Sequence, residues 1–468
     1  MSNILEIYYE YLPNFLQNVF VSAYNIVNYK RRYGAQYKAF SKIYNDNNNL
    51  DRKELEKIQS NKLKDLLEYT LKHSEYYREL YKDIDIKEYN GPEFLKRLPI
   101  VNKEDIRKNV EKVRTIPKSE ASIRKTGGTT GKSLKLYATH DDVQERFAIL
   151  DNFRSKCGYK LGEKTAWFSG KNLLTKSDLK KNRFWKTDYW YKVRYYSTFH
   201  IKHENLKFYI NDLFKFQPKF LVGFPSTMYD IAKYGLEKKI SFPSNTIKAI
   251  FPTAETVTKE IRSTIEKFFN AKIYDQYASS EGAPFIFECV NGNLHLELQS
   301  GVFEVLDEQG NETNKGRMII TSFTTYGTPL IRYDIGDEIE LSNDTCNCGN
   351  NNPLVKQILG RINDYIYSPE IGKINLGNIS NTLKGVNGII KFQMIQNKLD
   401  ELIILAIKDE VKFKDKDEKV FINNIQDRIG NRMIIDINYV NEIPVEKSGK
   451  FRIVKNNIKD QIERLNIV

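Results

Sequence analysis

Four cysteines, five histidines and three tryptophans are spread over 468 residues, and no apolar run approaches the roughly 20 residues that span a bilayer. So few cysteines cannot staple a chain of this size, which excludes a disulfide scaffold and predicts a reducing compartment, the cytoplasm by default. The first residues, Met1-Ser2-Asn3-Ile4-Leu5-Glu6, lack the basic and apolar regions of a secretory signal. Internal repeats, heptad runs and low-complexity tracts are missing too, which removes solenoid and fibrous architectures. Acidic residues are outnumbered: 73 Lys plus Arg against 60 Asp plus Glu leaves +13, so the surface favours anions. These cations are scattered along the chain rather than gathered in one tail or helix. That is the pattern of a solvated surface, and nucleic acid is not an expected partner.

Hydrophobic residues at 40% and charged residues at 28% are the balance of a globular protein, with length enough for two or three domains. The first 115 residues read as mainly helical. Leu12 to Val27, interrupted by Asn14, Gln17, Asn18 and Asn25, reads as a packed amphipathic helix. Docking on a membrane surface, helped by Lys30-Arg31-Arg32, is the alternative. The polar run Asn45-Asp46-Asn47-Asn48-Asn49 reads as a loop. A long helix comes next, capped by Asp51 with Glu54 three residues on, and Leu55, Ile58, Leu63, Leu66, Leu67 and Leu71 form its buried stripe.

From about residue 120, short apolar runs alternate with helical patterns, the signature of βαβ units around a largely parallel sheet. Phe220-Leu221-Val222-Gly223 predicts a strand ending in Phe224-Pro225-Ser226. Ile247 to Phe251 predicts the next, ending in Thr253-Ala254-Glu255. Lys272-Ile273-Tyr274 predicts a third, ending in a loop from Asp275 to Glu281. Ligands in open α/β sheets sit beyond the carboxyl ends of strands, so Glu255 and the Tyr277 to Glu281 segment should face one crevice. The expected fold is therefore α/β: a large N-terminal domain, 1–359, with a helical start and mixed, largely parallel sheets. A hinge at 360–364, Gly360-Arg361-Ile362-Asn363-Asp364, then leads into a small α+β domain, 365–468.

The sharpest local feature is Lys125-Thr126-Gly127-Gly128-Thr129-Thr130-Gly131-Lys132-Ser133. Its glycines let backbone amides approach a phosphate, and its hydroxyls and lysines add donors. It is not a Walker A loop, because Thr126 stands where the first glycine belongs and Leu134-Lys135-Leu136-Tyr137 alternates like a strand. A plain glycine-rich hairpin turn is the competing reading.

Together with several segments further along the chain, the loop resembles the phosphate-binding loop of the adenylate-forming ligases, the acyl-CoA synthetase superfamily. Thr253-Ala254-Glu255 is similar to the segment lining the adenine pocket, and Asp275-Gln276-Tyr277-Ala278-Ser279-Ser280-Glu281 to D-x-Y-G-x-x-E. Arg332-Tyr333-Asp334-Ile335-Gly336-Asp337 is similar to R-Y-x-x-G-D, Gly360-Arg361 to the hinge, and Pro444 to Arg452 to the closing motif. Pro329-Leu330-Ile331 and Phe224-Pro225-Ser226 look like the phenylacetate–CoA ligase branch. The helical beginning, Leu12-Pro13-Asn14-Phe15-Leu16-Gln17-Asn18 and Arg31-Arg32-Tyr33-Gly34, looks like its CapK-type subgroup, encoded with capsular and surface polysaccharide genes, which implies peripheral association with membrane polysaccharide machinery.

The resemblance implies an ATP- and Mg²⁺-dependent, AMP-forming ligase with a mobile C-terminal domain. Lys450, Glu281 and Thr130 would be catalytic. Thr126, Gly127, Gly128, Thr129, Thr130, Gly131 and Lys132 would hold phosphates, and Ala254, Glu255, Asp275, Tyr277, Ala278, Ser279 and Ser280 would line the nucleotide site. Asp337 and Arg361 would fix the ribose, and Glu281 would hold the magnesium. The chemistry agrees, since activating an acid with ATP chiefly needs positioning and neutralised phosphoryl charge. Three departures bear on the acid pocket, the hinge and the acceptor in turn: Ala278 replaces the usual Gly and narrows the floor beside the substrate carboxylate, Asn363 replaces the usual Asp, and Tyr367 to Lys373 lacks the R-G stretch of CoA-using relatives. The acceptor is a thiol such as CoA or, alternatively, an amine of a sugar or amino acid.

Cys289 and His295, then Cys346 and Cys348, supply three thiolates and one imidazole, a structural zinc set with no open position for catalysis. Some members of the phenylacetate–CoA ligase branch bind zinc at similar positions; reduced buried cysteines and a redox role are the alternatives. Cys157 reads as a small buried hydrophobe, and His200 and His203 as structural histidines rather than acid-pocket residues. Phe184, Trp185, Trp190, Tyr191, Tyr195 and Tyr196 read as core, with a sugar- or base-stacking surface as the alternative. A nonenzymatic, zinc-stabilised basic binding protein is the remote rival to the ligase.

Overall fold

A computed structural model describes residues 9–125, 134–171, 173–361, 365–375, 380–383, 386–444 and 451–464. Two of the sequence motifs, Thr126 to Ser133 and Val445 to Lys450, lie outside the described residues, as do Ile362, Asn363 and Asp364 of the hinge. The chain divides into two units, Met1–Ile335 with Leu341–Gln357, and Gly336–Glu340 with Ile358–Val468.

The first unit begins with helices. Arg52–His73 starts where expected: Asp51 Oδ1 accepts Glu54 N at 2.8 Å and Glu54 Oε2 accepts Asp51 N at 2.9 Å, satisfying donors the helix cannot pair internally. Leu55, Leu63, Leu66 and Leu67 are buried. The asparagine run is not the loop predicted from its polarity. Helix Ala35–Asp46 runs through Asn45, and Asn47–Asn49 is a 3-10 turn. Its amides find protein partners: Asn47 Nδ2 donates to Gln299 Oε1 at 2.6 Å, and Asn48 and Asn152 exchange amide bonds at 3.2 and 3.0 Å. Helix Asn14–Arg32 forms as expected, but its buried side is largely polar, Gln17, Asn18, Ser22 and Asn25 lying there with Val21 and Tyr29.

A five-stranded sheet comes next, in spatial order Trp185–Asp188, Val193–Ser197, Thr165–Ser169, Phe220–Gly223 and Ala249–Pro252. All pairs are parallel except the first, so the expected βαβ sheet is observed. Phe220, Leu221, Val222, Ile250 and Phe251 are fully buried, which explains their unbroken apolar runs: both faces of the strands are covered. Helices Pro225–Glu237 and Lys259–Phe269 bring Met228, Ile231, Ile265 and Phe268 into one cluster on the sheet.

The third predicted strand differs. Ile273 forms only a parallel bridge to Ile250, and the chain then enters a second sheet as Gln276–Ala278. That sheet is seven-stranded, in order Gly301–Leu306, Lys315–Ser322, Tyr333–Ser342, Leu354–Arg361, Leu294–Leu296, Phe285–Glu288 and Gln276–Ala278. The segment read as a loop from Asp275 to Glu281 therefore holds a short edge strand.

In the second unit, four strands lie in order Ile434–Tyr439, Glu401–Lys408, Ile389–Gln396 and Val454–Asn456. Helix Asp415–Ile429 packs Phe421, Ile425 and Ile429 with Phe392, Met394, Leu402 and Ile404. This is the α+β composition expected of that part of the chain.

Candidate functional site

The carboxyl ends of Phe220–Gly223 and Ala249–Pro252 carry the first site residues. Thr253 N donates to Gly223 O at 2.9 Å, and Ala254 adopts φ 65°, turning the chain so that Glu255 points back across the sheet end. Glu255 Oε2 accepts Ser226 N at 3.0 Å, the start of helix Pro225–Glu237, where a carboxylate meets the positive end of the helix dipole. Ala254 is exposed and Glu255 half-buried.

Gln276 couples this strand end to the second motif, and nothing in the sequence singled it out. It is buried, its Nε2 donating to Pro252 O at 3.1 Å while its Oε1 accepts Arg154 Nε at 3.2 Å. Tyr277 comes next, half-buried, then Ala278 and Ser280 exposed, and Glu281 buried. Gln276 thus ties the segment that begins the second motif to the strand end that precedes Glu255. Gln276→Ala leaves Pro252 O and the Arg154 guanidinium short of a partner, so urea unfolding should show a loss of about 1–3 kcal/mol.

Two arginines complete this region. Arg146, on helix His140–Ser155, donates from Nη2 to Ser279 O and lies 5.3 Å over the Phe285 ring. Burial pushes its guanidinium down to about 9, the Arg124 charge adding to this and the Glu281 carboxylate opposing it, so it remains a cation at neutral pH. Arg146 Nη1 and both terminal nitrogens of Arg124 are buried without a hydrogen-bond partner among the described residues. Such groups are costly unless an anion completes them. The signal available in the sequence was the helix itself, whose buried side carries Asp142, Glu145, Asp151 and Arg154 beside Ala148, Ile149 and Phe153.

Arg124 lies on Ser122–Lys125, which pairs antiparallel with Lys135–Ala138, Lys125 opposite Lys135. The Gly-rich segment therefore joins two strands, not a strand and a helix, in keeping with the exclusion of a Walker A loop. The hairpin is pinned below: Thr328 Oγ1 accepts Tyr137 N at 2.8 Å and donates to Tyr137 O at 3.0 Å. Asp142 accepts Tyr326 N and Gly327 N at 2.8 and 3.0 Å. A Cβ at Gly327 would meet Tyr137 O at 2.4 Å, so only glycine fits there.

Other predicted residues fall elsewhere. Asp275 is placed with Glu288 and Arg262: burial, and then the Glu288 carboxylate, push it up to about 6, and its Oδ1 accepts Gln276 N at 2.8 Å. Arg332 is a scaffold residue, its guanidinium forked on Glu304 at 2.7–3.1 Å and tied to Leu98 O. Asp337 is buried in Tyr333–Ser342 and groups with the second unit. Strand Leu354–Arg361 ends at Arg361, whose side chain, like Thr126 to Lys132 and Lys450, is outside the described residues. His200 Nδ1 bonds Ser197 Oγ at 2.8 Å and its ring stacks on Phe184, the structural role expected. Burial pushes the Cys157 thiol up to about 11, which makes it inert.

The four metal-type residues do come together. Cys289 and His295 sit on the hairpin of Phe285–Glu288 and Leu294–Leu296, and Cys346 and Cys348 on the approach to Leu354–Arg361, whose Leu354 pairs with His295. Their ligand atoms all lie within 4.8 Å of one another. Cys289 Sγ to Cys346 Sγ is 3.7 Å and Cys348 Sγ to His295 Nε2 is 3.4 Å. Tetrahedral zinc with Zn–S of about 2.3 Å and Zn–N of about 2.0 Å requires edges of roughly 3.8 and 3.5 Å. His295 Nδ1 lies 3.2 Å from Asn352 O, the partner that leaves Nε2 as the ligand atom.

Protein CapK of Staphylococcus aureus is 35% identical over 462 residues, covering 97% of this chain and 100% of that protein. The chain belongs to the CapK-type branch of the adenylate-forming superfamily. Residues 366–457 match the family described as the CapK C-terminal domain. A phenylacetate-coenzyme A ligase of Thermus thermophilus is 24% identical over 330 residues, 68% of the CapK-type chain and 72% of the relative. In fold, the chain is similar to 2-hydroxyisobutyryl-CoA ligase in the postadenylation state, with a TM-score of 0.70 and 18% identity over 90% of this chain and 93% of that one. It is also similar to GH3.15 acyl acid amido synthetase, with a TM-score of 0.57 and 12% identity over 88% and 93%.

Proposed function

We propose that the protein is an ATP-dependent, AMP-forming ligase of capsular or surface polysaccharide assembly, which activates a carboxylic acid and passes the acyl group to an acceptor. The observation that supports this reading is that Gln276, beside Tyr277, is tied to Pro252 O at the strand end that carries Glu255, while the incompletely partnered Arg146 is held on Ser279 O, in a chain of this family. The acid's carboxylate attacks the α-phosphorus of ATP, the bond from phosphorus to the bridging oxygen breaks, and pyrophosphate leaves with that oxygen's electron pair.

Tyr277, half-buried on its edge strand, is suited to stack on adenine, and exposed Ala254 and Ala278 leave room for it. Arg146 and Arg124 supply guanidinium donors to phosphate or carboxylate oxygens. Glu281 would hold magnesium, which neutralises phosphoryl charge when bound. Thr126 to Lys132, Asp337, Arg361, Lys450 and the hinge at 360–364 keep the roles that the family motifs assign. Arg146→Met should lower kcat/KM for ATP-dependent adenylation about 10- to 100-fold, the worth of a charged hydrogen bond, and urea unfolding should show a loss of about 1–3 kcal/mol because Ser279 O and the Glu281 carboxylate lose a partner. Cys289, His295, Cys346 and Cys348 would hold a structural zinc that fastens the hairpin to the next strand.

The acceptor is a thiol such as CoA, with an amine as the second reading, favoured by the missing R-G stretch after the hinge. Adding CoA, then a panel of amino sugars and amino acids, to an adenylation assay that measures AMP release decides between them. Thioester formation with a rise in rate supports the first; amide formation with indifference to CoA overturns it.

A further inference from the structure

Helix Asn14–Arg32 is attached by its polar side. Lys186 Nζ donates to Asn14 Oδ1 at 3.0 Å and to Gln17 Oε1, Thr187 N to Asn18 Oδ1 at 3.0 Å, and Asn25 Nδ2 to Asp188 Oδ2 at 2.7 Å. The apolar positions face out instead: Phe15 is 60% exposed, Val19 49%, Phe20 50%, Tyr24 58% and Val27 58%. Spacings of four, five, nine and twelve residues from Phe15 spread them over about half of the helix circumference, the half away from Gln17, Asn18 and Asn25. A helix kept in place by packing alone would turn over; this one is held outward by a row of buried hydrogen bonds.

The same bonds pin the turn after Trp185–Asp188. Tyr189 N donates to Ser22 Oγ at 2.9 Å and Asn18 Nδ2 to Tyr189 OH at 3.0 Å, while Trp190, next along, is 68% exposed. Charge completes the pattern. Residues 11–45 contain no Asp or Glu but include Lys30, Arg31, Arg32, Lys38 and Lys42, all exposed except Arg32, which lies over Phe147. No described helix is long and apolar enough to cross a membrane.

We propose that this face docks on an anionic lipid surface, with the helix lying in the plane of the bilayer. Phe15, Phe20, Tyr24, Val27 and Trp190 enter the boundary between headgroups and acyl chains, and Lys30 and Arg31 meet lipid phosphates. Exposed Tyr, Phe and Trp beside basic residues are the composition of an interfacial helix, because aromatic rings and amphipathic cations favour the headgroup level. A second copy is the poorer occupant, since self-pairing through this face would set two stretches of like charge against each other. Placement at a membrane would bring the ligase to lipid-linked or membrane-made substrates without altering its chemistry.

The test is density-gradient flotation of the full chain with vesicles of phosphatidylcholine alone, or with phosphatidylglycerol at roughly 30%, near 0.1 M salt. The expected result is flotation with the anionic vesicles that weakens as salt rises. Lys30→Gln with Arg31→Gln should reduce partitioning roughly 30-fold. Phe15→Ser with Phe20→Ser and Tyr24→Ser should abolish it, both variants keeping wild-type melting temperature and adenylation rate in solution. Absence of flotation with either vesicle, flotation untouched by both variants, or a dimer in sedimentation that the serine variant dissolves would each overturn the proposal. Adenylation in solution is read separately, so failure here leaves the ligase assignment standing.

Discussion

Glu281→Gln abolishes most adenylation, lowering the rate about 10²- to 10³-fold, the scale on which loss of one transition-state electrostatic contact is felt. Glutamine keeps the shape of the side chain and removes its charge. Glu281 is buried beside the Arg146 cation, and Arg124, which faces the Asp142 carboxylate, adds a second cation next to Arg146. A carboxylate there is suited to magnesium, a hard cation that takes few protein ligands and otherwise phosphate oxygens. The alternative is that Glu281 serves only to neutralise the arginines. That reading predicts a large fall in melting temperature and a modest kinetic effect, whereas the ligase reading predicts the reverse. Kinetics at saturating magnesium, with a thermal melt of the same sample, separates the two.

The second large effect is on the zinc cluster. Purified protein kept away from chelators should contain close to one zinc per chain, and Cys346→Ser should reduce this to a small fraction. The thermal consequence should be about 10 °C, from a loss of roughly 3–5 kcal/mol. This is less than a zinc finger loses, because Leu294–Leu296 is already paired on both sides and Asn352 is held by Asn350 and Glu297. Adenylation below the melting range should be unchanged, since four protein ligands leave no open position. Protein with no zinc and unaltered stability in Cys346→Ser would show that the cluster is four reduced side chains.

Much of the parallel sheet was legible because its cause is local. Phe220-Leu221-Val222-Gly223 is apolar without a break and bounded by a Pro-containing turn, so a strand covered on both faces was the simplest reading. The Asp51 and Glu54 capping box was legible for the same reason, as donor and acceptor are three residues apart. The candidate residues stood out as motifs in the family's order, with Glu255 just past Ala249–Pro252 and Tyr277 on the edge strand Gln276–Ala278. What escaped depends on partners distant in the chain. Gln276 looks ordinary until Pro252 and Arg154 are beside it. Arg146 matters because Ser279 and Glu281, more than a hundred residues on, fold against it. The asparagines at 47 and 48 pack because Gln299 and Asn152 answer them. Helix Asn14–Arg32 has the composition of an amphipathic helix, and only the polar row on Trp185–Asp188 decides which side faces in.

The central claim is adenylation, and the direct measurement is exchange of labelled pyrophosphate into ATP across a panel of aryl, fatty, amino and uronic acids, for wild type and Lys450→Ala. Acid-dependent exchange is expected in the wild type and should collapse in the variant, with one acid class standing out. Silence across the panel without nucleotide binding, or exchange indifferent to Lys450→Ala, would contradict the claim.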